Sequence, residues 1–336
     1  MINIGIIGYG YWGPNLARNF NANPNCKLIR IADLDETRRS LACCDYPSAE
    51  VVGNPYYVTD AKDVDVVVIA TPVTTHFELS KRALLNGKYL WIEKPMTASS
   101  AEAEELLELS DKKKLIIMVD HTFIFTGAVQ KIKETINNGE LGDIIYYDSV
   151  RVNLGLFQHD INVIWDLAPH DFSIMDYLID KKPLLISATG SSTILGNVEE
   201  IAYVTVKFDN GMIAHFHVNW MSPVKIRRVM IGGSRKMIVF DDLNADEKIK
   251  IYDKGISLLN SSKDKLYKYL IKYRTGDMCS PSINGQEALK VEVSHFVDCI
   301  ENDKKPISDG EAGLRVVKLL EAAHTSLKKN GVFVKI

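Results

Sequence analysis

The chain reads as two parts of different class: an α/β domain with a doubly wound parallel sheet over residues 1–121, then an α+β domain over 122–336 with a large, mainly antiparallel open sheet. Three observations predict this. A glycine-rich turn, Gly8-Tyr9-Gly10-Tyr11-Trp12-Gly13, stands between a strand-like run and a helical one at the N-terminus. Nearly unbroken β-branched runs such as residues 64–70 alternate with amphipathic stretches, the pattern of a parallel sheet covered on both faces. Later turn signals such as Asp209-Asn210-Gly211 join strands directly, as in hairpins.

Taken in order, residues 3–7 form the first strand. Gly8 permits the tight turn, Gly10 lets a pyrophosphate approach the backbone, and Gly13 lets helix and strand pack closely. Pro14 suits the first turn of a helix over 14–23, where its missing N–H costs nothing. A strand over 27–32 ends in Asp33, at the spacing of the acid that binds a ribose 2′-hydroxyl. A helix over 36–44, strands over 64–70, 89–92 and 115–119, and helices over 74–86 and 99–113 follow, the last opened by a Ser99/Glu102 capping box. Six strands, five of them placed above, would with their helices fill residues 1–121, the size of one Rossmann domain.

After a helix over 128–137, strands are placed at 144–153, 184–189, 201–208, 212–220, 226–231, 236–240, 248–252 and 332–335. Helices over 165–179, 286–301 and 312–329 are candidates to cover one face of that sheet, and a second subunit the other. Residues 257–283 read as a long, polar, lysine-rich loop with any helix in it undecided.

Composition excludes several classes of partner. With 46% apolar residues and a net charge of −3, the chain supports real cores but has no electrostatic footprint for nucleic acid or an anionic membrane. Five cysteines, none in zinc-site spacing, suit a reducing cytoplasm, and no metal is expected. No apolar run approaches the ~18 residues of a membrane helix, and the N-terminus is strand-like, so the expectation is a cytoplasmic protein.

Three constellations fall at strand ends or a helix start where chemistry is expected. Thr71, Pro72 and His76 follow a central strand and are candidate cofactor contacts, with helix entry as the plain alternative for His76. Tyr9, Tyr11 and Trp12 of the glycine turn, and Leu34 and Arg38 beyond Asp33, are cofactor contacts by position. Glu93-Lys94-Pro95 ends another strand; a lysine there can hydrogen-bond a substrate hydroxyl and stabilise a developing alkoxide, and the Lys94–Pro95 bond can be cis. Asp166 and His170 stand four apart and share one helix face. If Pro169 lies in the first turn, His170 sits near the positive helix end, which favours the neutral imidazole of a general base. Asp166 would orient that ring or meet a second hydroxyl, or serve as an N-cap.

With these residues in view, the chain resembles the glucose-fructose oxidoreductase, inositol dehydrogenase and MocA family over essentially its full length. The carriers are the early GxGxxG, Ala70-Thr71-Pro72, Glu93-Lys94-Pro95 and Asp166-x-x-x-His170. The resemblance implies a nicotinamide cofactor on the first domain and hydride transfer at a secondary carbinol of a pyranose or cyclitol. It further implies Lys94 as catalytic lysine, Asp166 as the substrate-orienting acid and His170 as the proton-transfer residue. The chain departs from many members in having Asp120-His121-Thr122 where they have an asparagine-arginine pair, and in lacking a glycine pair before Asp166. The stretches 11–15 and 165–171 are similar to members in bacterial nucleotide-sugar pathways.

Asp33 would repel a 2′-phosphate, so NAD is expected, with NADP as the alternative; Arg30, Arg38 and Arg39 bear on this, though the last two are placed on a solvated helix face. Alternation puts Lys225 and Arg227 on one strand face, where they would meet a diphosphate, a solvated rim or a second subunit. His121, Arg151, Asn153 and Phe157, with Gln158 and His159, are further candidates for the sugar pocket. His215 and His217 share a face but lack a third ligand for a metal. The expected substrate is a nucleotide-linked hexose or uronic acid. The alternatives are a free cyclitol or sugar, and a catalytically silent sensor. A homodimer or homotetramer through the second sheet is expected.

Overall fold

The computed structural model describes residues 1–155, 157, 161–194, 196, 198–259 and 270–336. The first strand, β1 (Ile2–Ile7), turns through the glycine loop into α1 (Gly13–Ala22), and the alternation continues through β2 (Cys26–Ala32), α2 (Glu36–Asp45), β3 (Glu50–Val52) and α3 (Tyr56–Thr59). Then come β4 (Val66–Ile69), α4 (His76–Leu85), β5 (Tyr89–Glu93), α5 (Ser100–Lys113) and β6 (Ile117–Asp120). All pairings are parallel, in the order β3-β2-β1-β4-β5-β6. This is the dinucleotide-binding order, reversing direction between β1 and β4, where ligands bind at the strands' carboxyl ends. The sixth expected strand is β3, which together with α3 had no place in the sequence reading. The Ser99/Glu102 capping box is present in full.

The chain continues through α6 (Gly127–Asn137), β7 (Ile144–Leu154), α7 (Val163–Leu178), β8 (Pro183–Ser191), β9 (Ile201–Phe208), β10 (Ile213–Asn219), β11 (Met221–Gly233), β12 (Met237–Asp241) and β13 (Ile249–Tyr252). It closes with β14 (Gly255–Leu259), β15 (Leu270–Arg274), β16 (Met278–Cys279), α8 (Ala288–Glu301), α9 (Gly310–Lys328) and β17 (Val334–Lys335). Among the described residues the second sheet has nine strands, β16-β13-β12-β11-β7-β10-β9-β8-β17, antiparallel throughout except where β10 lies parallel to β7. The expected hairpin at Asp209-Asn210-Gly211 is β9/β10, with Gly211 at φ +83°.

Two compact units result: residues 1–126 with 286–321, and residues 127–285 with 322–336. This corrects the expected single break near 121, because α8 and most of α9 return to the first unit instead of covering the second sheet. The reason is apolar packing: the fully buried Trp91 of β5 meets Phe20 of α1 edge-on at 5.2 Å and Phe296 of α8 at 5.5 Å. In the second unit α7 covers one face of the sheet, Phe172 meeting Phe216 at 4.9 Å. Alternation on β9 and β10 buries Ala202, Val204, Val206, Ala214, Phe216 and Val218 there, and leaves Tyr203, Thr205, His215 and His217 on the other face. Residues 257–283 are not the expected loop: β14 and β15 pair with each other and β16 joins the large sheet, while 260–269 lie outside the described residues.

Candidate active site

The glycine loop behaves as three separate constraints. A Cβ on Gly8, whose φ is +98°, would meet the Ala70 carbonyl oxygen at 2.3 Å, and one on Gly13 would meet that of Gly8 at 2.2 Å. A Cβ on Gly10 would meet the Arg38 guanidinium from 3.3 Å, the end of a flexible side chain and not backbone. Beside the loop lies a cavity of about 520 Å³ lined by Gly8, Asp33, Leu34, Arg38, Pro55, Tyr56, Thr71 and Pro72, among others. Asp33 is fixed at its rim, where the carboxylate accepts from the N–H groups of Tyr9 at 2.6 Å and Asp35 at 2.8 Å. The loop, the acid and the cavity together fit a dinucleotide.

Several cofactor assignments are corrected here. Arg38 lines the cavity while its side chain stays 53% exposed, with a guanidinium nitrogen 3.9 Å from Asp33 Oδ2. Arg39 donates to the carbonyls of Asp33 and Leu34, and Arg30 pairs with Glu50, so both are structural. The Tyr9 side chain turns inward and donates to Asp45 at 2.6 Å, leaving only its backbone at the loop; burial raises its hydroxyl above the ordinary tyrosine range. Tyr11 is 83% exposed and meets the Trp12 ring edge-on at 5.9 Å, and neither lines the cavity. The His76 ring is also withdrawn from the cavity, buried between two carbonyls.

At the ends of β5 and β6 the structure gathers carboxyls that the sequence keeps far apart. Glu93 and Asp120 are register partners, Thr122 donates to Asp120, and Glu292 of α8 lies buried against Asp120 and Glu93. Burial, then the Asp120 charge, pushes Glu93 well above the usual carboxylate range; burial, then Asp120 and Glu93, does the same to Glu292. Such a cluster retains protons at neutral pH because like charges in one buried place cannot all ionise. Lys94 adjoins it, half-buried, its bond to Pro95 cis as the sequence allowed. His121, expected at the substrate, is 1% exposed; burial, then Lys94 and Arg315, holds it down to about 3, so it is neutral.

In the second unit the Asp166/His170 pair forms on α7 as its spacing required, one turn apart. The helix start differs from expectation. Asn162 is the N-cap, its side chain accepting from Trp165 N–H, so Asp166 is not a cap and Pro169 lies inside the helix, placing His170 beyond the first turn. The dipole argument for a neutral His170 therefore does not hold, since that field fades within the first turn. Pro169 is tolerated at the loss of one hydrogen bond to the carbonyl four residues back.

Asp166 is oriented by a residue missed in sequence: the fully buried Trp220 donates from Nε1 to its Oδ2 at 2.9 Å. Phe157 packs on the same indole at 5.8 Å, and Asn153 is half-buried nearby on β7. Gln158 and His159 lie outside the described residues. Arg151, expected at the sugar, is instead 4% exposed and donates twice to Asp171, which also accepts from Ser149. Arg227 is the register partner of Arg151 and so shares the α7 face; burial, then Arg151, lowers its pKa, with Asp242 at 3.4 Å opposing. Lys225 lies in the stretch between Met221 and Ile226 where pairing with β7 lapses, so simple alternation does not link it to Arg227. His215 bonds Thr205 at 3.1 Å and His217 stacks on Tyr203 at 4.4 Å. Among the described residues no cluster of three or more such groups could hold a metal, and no helix is long and apolar enough to cross a membrane.

A sheet of this order with this loop and acid defines a dinucleotide-binding domain. Residues 2–121 match the oxidoreductase family with an NAD-binding Rossmann fold, and residues 129–239 match the GFO/IDH/MocA C-terminal domain. The chain belongs to the GFO/IDH/MocA family. It is 26% identical to the scyllo-inositol 2-dehydrogenase (NAD(+)) of Bacillus subtilis (strain 168), covering 100% of this chain and 95% of that one. It is 24% identical to the UDP-N-acetylglucosamine 3-dehydrogenase of Acidithiobacillus ferrooxidans, covering 93% of each. A solved structure of the latter enzyme shares its fold, with a TM-score of 0.81, 22% identity and 98% of both chains covered. So does the structure of GenD2 from gentamicin A biosynthesis in complex with NAD, with a TM-score of 0.82 at 18% identity over 100% of this chain and 96% of that one.

Proposed function

We propose that the chain is an NAD-dependent dehydrogenase that oxidises a secondary hydroxyl of a nucleotide-linked hexose or uronic acid to the ketone. The observation that carries this is the Asp166/His170 face, with the Asp166 carboxylate fixed by the Trp220 indole N–H at 2.9 Å. A sensor has no need of an acid held to that precision beside a histidine, nor of a lysine at the end of β5. The bound nicotinamide supplies the hydride acceptor. By the family motifs each carries, His170 takes the hydroxyl proton, Lys94 stabilises the developing alkoxide, and Asp166 holds a substrate hydroxyl. Asp33 binds the adenosine ribose and disfavours a 2′-phosphate, which supports NAD over NADP.

Support for a nucleotide-linked substrate is the likeness to the UDP-N-acetylglucosamine 3-dehydrogenase; Arg227 and Arg228 are already paired with Asp242 and Asp241 and add little to it. The second reading, a free cyclitol, is favoured by the full-length likeness to the scyllo-inositol enzyme. Melting temperature in the presence of NAD separates them. UDP- or dTDP-hexoses raise it on the first reading; if scyllo- and myo-inositol raise it and nucleotide sugars do not, the first reading is wrong. The open face of the second sheet, with Tyr203 and Ile213 exposed, supports pairing with a second copy of the chain, checked by light scattering on the eluting protein.

A further inference from the structure

One side chain joins the two loops that the proposed chemistry uses. His76, the first residue of α4, is 1% exposed; its Nε2 lies 2.8 Å from the Thr71 carbonyl oxygen and its Nδ1 3.0 Å from that of Pro95. Thr71 and Pro72 line the dinucleotide cavity, and Pro95 follows Lys94. Both partners are acceptors. A neutral imidazole has one N–H and fills one of these bonds at a time, and only the doubly protonated ring fills both. Either way the ring is wedged between two carbonyls that follow the adjacent strands β4 and β5.

We propose that His76 is a positioning residue that fixes the Thr71–Pro72 segment and the Lys94–Pro95 segment relative to each other, so that the cofactor-facing loop and the lysine keep one spacing. The inference rests on the reading of Lys94 as the group that polarises the substrate oxygen. A displacement of about 1 Å between reacting groups costs on the order of 100-fold in rate, so such a brace has a catalytic consequence without touching substrate.

Two conservative variants separate the two bonds. In His76→Asn the new amide nitrogen would stand near the place of Nδ1, keeping a donor for Pro95; in His76→Gln it would stand near Nε2, keeping one for Thr71. The experiment therefore compares His76→Asn and His76→Gln in the full chain, without requiring the substrate. One readout is NADH affinity by fluorescence titration; the other is the rate at which acetic anhydride labels Lys94, read by peptide mass. His76→Asn should weaken NADH about 10-fold and leave Lys94 labelling within about twofold. His76→Gln should do the reverse, with labelling about fivefold faster and NADH affinity within about twofold. If both variants shift both readouts together in step with a lower melting temperature, or shift neither, the brace is refuted. Lys94→Ala turnover distinguishes the underlying reading: if Lys94→Ala retains activity, Lys94 has no catalytic role and the functional part of the inference falls with it.

Discussion

Replacing Asp33 with Ser should reverse the cofactor preference, and the structure sets the size of the change. The carboxylate lies at the cavity rim, fixed by the Tyr9 and Asp35 N–H groups, where a 2′-phosphate would come within about 4 Å. At that distance two like charges repel by about 2–4 kcal/mol for an effective dielectric of ~20–40, or roughly 30- to 1,000-fold in affinity. The wild type should therefore bind NADH tighter than NADPH by a factor in that range. In Asp33→Ser the repulsion goes, and Arg38, now 3.9 Å from that carboxylate, loses its acidic partner and meets the phosphate instead. NADH should weaken by about 10-fold as the charged acceptor for the ribose is lost. Fluorescence titration of both nucleotides against both proteins measures all four constants. A wild type that binds NADPH as tightly as NADH would refute the reasoning, because it would mean that Arg38 already outweighs Asp33.

Three further outcomes follow from particular contacts. Glu292→Gln should raise the melting temperature at pH 8 and change it little at pH 4: a carboxyl whose folded pKa is raised stabilises fully below its unfolded value near ~4.3 and loses that contribution as pH rises. An effect of this substitution that is independent of pH would show that the cluster does not hold its protons. Trp220→Phe removes the donor to Asp166 while keeping a ring against Phe157; kcat/KM should fall about 10- to 100-fold with NADH affinity unchanged, and an unaltered kcat/KM would leave Asp166 without a role in orientation. Phe296→Ala empties the space beside Trp91 and Phe20 and should cost about 3–5 kcal/mol in urea unfolding, whereas a cost under ~1 kcal/mol would mean that α8 does not support the first sheet.

What could be read from the sequence was what a short span of chain decides. The strand, glycine turn and helix around Gly8–Gly13, the hairpin at Gly211, the capping box at Ser99 and the shared face of Asp166 and His170 all depend on residues within a few positions of one another. The misses are contacts between distant segments. Glu292 meets Asp120 and Trp220 meets Asp166 across gaps that leave no local pattern, and Trp220 and Glu292 are otherwise unremarkable apolar and helical positions. Arg151 read as a candidate for the sugar pocket because its partner Asp171 is 20 positions away on another element. The return of α8 to the first unit was hidden for the same reason: its amphipathic face fits any apolar surface, and only packing on Trp91 chooses one. His76 is instructive in the other direction, since its place after a central strand suggested the cofactor while its ring is spent on two carbonyls.

The most direct test of the central claim is NADH formation, followed by its absorbance, with purified protein, NAD and a panel of UDP-, dTDP- and GDP-hexoses and uronic acids beside free inositols, repeated with Lys94→Ala and His170→Ala. The account predicts turnover that requires the nucleotide and falls by orders of magnitude in both variants while NADH still binds. Turnover confined to free inositols, or unimpaired in either variant, would contradict it.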